Sequence, residues 1–121
     1  MASISKINLQ QKFGHISEYR TPKIVGELNG QEIKLVKMHG EFIWHHHENE
    51  DEMFLVVKGK FTMGLRSGDI EVNEGEFIII PRGVEHKPVA HEEAHILLFE
   101  PAATLNTGNV TNHFTRNSTP I

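Results

Sequence analysis

The chain has 121 residues, nine His, no Cys, and 12 Lys plus Arg against 16 Asp plus Glu, for a formal charge of −4 with His neutral. That length fits a single domain, for which ~100–200 residues is usual, and leaves no room for a second folded unit. The acidic balance argues against a nucleic-acid-coating surface, and the lack of Cys excludes disulfides, thiolate zinc sites, iron–sulfur clusters and Cys nucleophiles.

The opening run MASISKINLQQKF has no apolar signal core. No segment approaches the ~18 apolar residues of a bilayer span. The expected location is the cytoplasm, with neither membrane nor nucleic acid as partner. Residues 1–23 read as an N-terminal arm. Within it, Asn8 to His15 is the best helix signal, with Asn8 as N-cap and Gly14 as an early stop. Leu9 and Phe13, four apart, either dock one face on a larger body or belong to a frayed terminus.

From residue 24 the pattern changes to strands. Ile24–Leu28 and Glu32–Met38 flank Asn29-Gly30, a two-residue hairpin signal because both positions need positive φ. The second arm alternates, with Ile33 and Leu35 on one face and Lys34, Val36 and Met38 on the other. Further strands are expected at Glu41–His47, Met53–Val57, Phe61–Leu65, Ile70–Val72, Phe77–Ile80, Val84–Ala90 and Ala94–Phe99. Short strands about ten residues apart, with turn residues between, indicate an antiparallel all-β sandwich or barrel over residues 24–100. From Pro101 to Ile121 the chain is rich in Thr, Asn and Ser and reads as a loop and a loosely held tail.

Chemistry concentrates in two segments. In a strand, residues i and i+2 share a face, so His45 and His47 project together while His46 turns away. Glu48 to Asp51 make a short turn, and Glu52 opens the next strand facing the two imidazoles, with Phe54 and Val56 as an apolar floor. Glu50 is a reserve carboxylate. In the second segment Pro81 and Gly83 make a tight reversal, and His86 lies three residues into the returning strand. If that strand lines the same barrel, His45, His47, Glu52 and His86 form a three-imidazole, one-carboxylate site for one divalent transition metal: Mn, Fe, Ni, Co, Cu or Zn. Trp44 points away from that face and is expected between sheets or at a subunit contact. Arg82 is read as a solvated turn residue or as a contact for an anionic ligand.

These segments resemble the paired motifs of the cupin superfamily of small jelly-roll barrels. Gly40, His45, His47, Glu52 and Gly59 match the first motif; Gly75, Pro81, Gly83 and His86 match the second. Two positions depart from the pattern: only four residues separate Gly40 from His45, and Ala90 stands where the second motif ends in Asn. Within the superfamily the chain is most similar to small single-domain cupins labelled as resembling mannose-6-phosphate isomerase. The resemblance implies a jelly-roll barrel holding a divalent metal and a small oxygen-rich ligand. It implies dioxygenase-type chemistry with a redox metal, or sugar-isomerase-type chemistry with Zn or Mn. A non-catalytic binding or sensor protein is the alternative. Glu52 is the one candidate base visible in the sequence, and no separate base is identifiable. A homodimer is the expected assembly, since a small barrel has edges to cover.

Overall fold

The computed structural model describes residues 4–121. A five-residue helix, α1 (Leu9–Phe13), precedes eight strands: β1 (Lys23–Leu28), β2 (Gln31–Glu41), β3 (Glu52–Lys58), β4 (Lys60–Leu65), β5 (Ile70–Asn73), β6 (Phe77–Ile80), β7 (His86–Pro101) and β8 (Thr119–Pro120). Asn8 caps α1, its side chain accepting from the Gln11 N–H at 2.9 Å.

The long strand β7 organises the barrel. It pairs antiparallel with β2 along most of its length, with β4 at its first residues and with β3 at its later ones. β4 continues to β5, and β3 to β6. Two curved layers result, closing on a core of Val36, Met38, Phe54, Val56, Phe61, Met63, Val72, Ile80, Ala90, Ala94, Ile96 and Leu98. These residues alternate along their strands, as a face turned inward requires. The opposite face of β2 carries Leu35, which packs with Phe13 and Ile16 in a second apolar cluster outside the barrel. The helix therefore docks through Phe13, the first of its two alternatives.

The Asn29-Gly30 hairpin forms, with φ of 51° and 77° and Leu28 opposite Gln31. Three expectations change. First, Glu41–His47 is not a strand: β2 already ends at Glu41, and beyond it only His45 makes a bridge, to His86. Second, the strands expected at Val84–Ala90 and Ala94–Phe99 are one strand starting at His86, because β2 runs alongside both, with a register shift between Met38 and Gly40 that leaves residues 91–93 as a bulge. Third, the tail is not loosely held. Thr104 and Thr107 are buried, and Thr107 Oγ1 bonds Val110 O and Thr115 Oγ1. β8 then pairs in parallel with β1. At Gly108 the tail passes so close to His46 that a Cβ would collide with its carbonyl oxygen.

Candidate metal centre

His45 and His86 stand opposite each other on neighbouring chain segments. Each backbone N–H donates to the other's carbonyl, at 3.1 and 2.9 Å. His47 is fixed through its own carbonyl, which accepts from the Gly83 N–H at 2.8 Å. The loop before Glu52 is fixed by Asp51, whose Oδ1 accepts from the Arg82 N–H at 2.8 Å and from Arg82 Nε at 3.4 Å. The Pro81–Gly83 reversal thus clamps the loop of one motif to the turn of the other. Arg82 is an exposed residue spent on this tie.

His45, His47, Glu52 and His86 are all buried, and one ligand atom from each lies within 4.8 Å of every other. His45 Nδ1 lies 2.9 Å from Ile43 O, and His86 Nδ1 lies 2.9 Å from Val84 O. Donation of those N–H groups to carbonyls leaves each Nε2 with a free lone pair. Glu52 Oε1 sits 2.8 Å from His47 Nε2 and 3.2 Å from His86 Nε2. Yet none of these three atoms makes a hydrogen bond of acceptable direction. Buried nitrogen and oxygen atoms normally find partners. A group of them converging without any is the arrangement a cation between them would satisfy. An all-nitrogen-and-oxygen donor set suits a divalent transition metal, and this cluster could hold one.

The electrostatics agree. Burial, reinforced by the neighbouring His86, lowers the His45 imidazole to about 4, so it is neutral and able to donate its lone pair at pH 7. Burial pushes Glu52 toward the neutral acid, but the imidazoles of His47 and His86 outweigh it and hold the carboxyl well below its ordinary range. Phe54 and Val56 lie beneath as the expected floor, buried on the same face of β3 as Glu52.

The remaining candidates fall outside the cluster. His46 contacts Glu48 and takes no part. Glu50 is not among the clustered ligands. Trp44 is half-buried under the Arg66 guanidinium, 3.7 Å from its ring centre, with Lys87 Nζ at 5.7 Å.

Two acid–base residues escaped the sequence reading. Lys34 and Glu100 are 1% and 2% exposed, and Lys34 Nζ lies 2.8 Å from Glu100 Oε2 and 3.2 Å from Thr104 O. Glu100 lines the same cavity as His45 and Glu52, a space of ≈ 40 Å³. Its Oε1 has no partner apart from the neighbouring Glu52 carboxyl. Burial, then the charge of Glu52, raises the Glu100 carboxyl well above its ordinary range against the pull of Lys34. The signal was present: Lys34 shares its face with Val36 and Met38, and that face is the core. Glu100 sits one residue past the expected end of its strand.

Comparison with known proteins identifies the fold family. Residues 33–100 match the family described as cupin domain. The chain is 42% identical to a cupin-2 domain containing protein from Shewanella frigidimarina, covering 78% of this chain and 93% of that one with a TM-score of 0.77. It is 30% identical to protein NMB1881 from Neisseria meningitidis, covering 81% and 100% with a TM-score of 0.74. It is 25% identical over 104 residues to the protein YdbB of Bacillus subtilis, covering 77% and 92%.

Proposed function

The chain belongs to the cupin domain family, and from that premise we propose that it is a divalent-metal-dependent enzyme of the isomerase type. It moves a proton between neighbouring carbons of a small hydroxy-carbonyl substrate. His45, His47, Glu52 and His86 hold the ion. When bound, the metal polarises a substrate oxygen and stabilises the charge that develops on it.

The observation that carries this reading is Glu100. An isomerase needs a base apart from the metal ligands, and ligation makes Glu52 a poor one. Glu100 lines the same cavity and stands outside the ligand set. Lys34 anchors Oε2, and the Glu100 carboxyl, made more basic by burial and by the Glu52 charge beside it, takes a proton from one carbon and returns it to the next. Val36, Met38, Phe42 and Leu98 form apolar walls that keep bulk water from competing for that proton.

The test has two parts. Elemental mass spectrometry of protein purified without added metal should find about one equivalent, and trace amounts unresponsive to added Mn, Fe, Ni, Co or Zn would refute the metal site. Exchange of substrate C–H for deuterium in D₂O, read by NMR across small hydroxy-aldehydes and ketones, should occur and should fall ~10²–10⁴-fold in Glu100→Gln. Oxygen consumption with catechols, flavonols or diketones would replace this reading with the oxygenase one. Saturable binding without turnover would replace it with the binding protein. The homodimer belongs to the same proposal: Phe77 and Ile79 are 60% and 55% exposed on β6, which pairs on one edge only. A monomer by light scattering at high concentration would overturn it.

A further inference from the structure

Arg20 is the other charged side chain on the wall of the metal cavity, alongside His45, Glu52 and Glu100. Its guanidinium is unassigned. Its Nε is buried with no hydrogen-bond partner, and among the described residues it forms no ion pair. A buried donor left unmatched is costly, and an arginine is held in that state only if something fixes it there.

The fixing is visible. Arg20 has φ of +60°, a conformation that a side-chain-bearing residue rarely adopts. Its N–H donates to Lys37 O at 2.9 Å, and its carbonyl accepts from Asn106 Nδ2 at 3.3 Å. The guanidinium lies over the Phe114 ring, 4.9 Å from its centre, and Phe114 stacks on Phe42, another wall of the cavity. The N-terminal arm thus supplies the cation, while the C-terminal tail supplies the ring and the amide that hold it. Strain maintained at a cavity wall points to a ligand.

From this we infer that Arg20 is the anion-binding residue of the site, and that the ligand is a small organic carboxylate whose carboxyl group lies between the guanidinium and the metal cluster. This rests on the metal reading above. The divalent ion, Arg20 and Lys34 outweigh Glu52 and Glu100, so the cavity is net positive whether Glu100 is ionised or neutral. That balance favours an anionic ligand. The planar fork of a guanidinium matches a carboxylate through two parallel N–H donors. At ≈ 40 Å³ the cavity is narrow, which favours a planar carboxyl head over a tetrahedral phosphate.

The experiment is calorimetric titration of oxalate and glycolate, with glycolamide and inorganic phosphate as comparators, into metal-loaded and metal-free protein. Wild-type protein should bind the carboxylates in preference to glycolamide and phosphate. Arg20→Gln should weaken the carboxylates by about ten- to a hundredfold and leave glycolamide unchanged. Arg20→Lys, which keeps the charge without the fork, should recover part of that loss. Carboxylate binding that is undetectable, equal in wild type and Arg20→Gln, or weaker than phosphate binding would overturn the inference. So would an equal loss for glycolamide, which would make Arg20 merely structural. Metal content, measured on the same samples, separates the two readings. A metal-replete protein indifferent to Arg20→Gln refutes only the carboxylate subsite; a metal-free wild type whose carboxylate binding still needs Arg20 refutes only the metal.

Discussion

Two buried polar groups share the barrel interior and have opposite chemistry. In the His45–His47–Glu52–His86 cluster, ligand atoms converge, and those of His47, Glu52 and His86 stay unmatched. In the Lys34–Glu100 pair, opposite charges meet at 2.8 Å and Thr104 O takes a further ammonium proton at 3.2 Å. The first arrangement is one that a cation would complete. The second satisfies the ammonium and leaves the other carboxyl oxygen of Glu100 toward Glu52. Burial alone therefore says little about role; the count of satisfied partners separates a ligand site from a positioning pair.

The sharpest way to break this contrast is to remove a ligand. His47→Ala or His86→Ala should reduce bound metal from about one equivalent to a trace while the far-ultraviolet circular dichroism stays that of a β-barrel. Unchanged metal content would refute the assignment. The opposite change tests the pair. Lys34→Met strands Glu100 and should cost about 3–5 kcal/mol in urea unfolding, with metal content retained. Lys34→Met combined with Glu100→Leu should recover most of that loss. A single variant as stable as wild type would show that the pair contributes nothing.

Acid should act on the cluster in a defined window. The folded His45 titrates near 4 against an ordinary 6.5, so the unfolded chain binds its proton first. That contribution to stability is present above 6.5 and is lost as pH falls toward 4. The loss amounts to roughly 3 kcal/mol in metal-free protein. A flat stability profile across that window would contradict the burial assigned to His45. Next in size is the tail. Gly108→Ala, whose Cβ would collide with His46 O, should cost about 1–3 kcal/mol and weaken metal retention. Smallest is Arg66→Ala: it removes the cation over Trp44 and should cost about 0.5–1 kcal/mol without touching metal content.

Much of this architecture was legible along the chain. Strand alternation located the barrel, and Asn29-Gly30 located its first hairpin. The i, i+2 spacing of His45 and His47 brought those two imidazoles together even though no strand forms there. The reason is local: His45 is fixed by a two-way backbone bridge to His86 and His47 by Gly83, so the segment is extended without a neighbouring ladder. Lys34 was half legible. Its face was assigned, but a charged residue on a core face has meaning only once its partner is known.

The sequence by itself determined an all-β barrel and the four ligand-type residues, because strand periodicity and motif spacing are short-range and survive in one dimension. Only the tertiary structure decided what surrounds them. Glu100 meets Lys34 across 66 residues of chain, and Asn106 reaches Arg20 across 86. Such contacts arise from closing the barrel and folding the tail back over its mouth, and no local pattern encodes a partner at that separation. The residues that would hold a metal were written in the motifs; the carboxylate and guanidinium beside them became visible only when the two ends of the chain were brought to the same cavity.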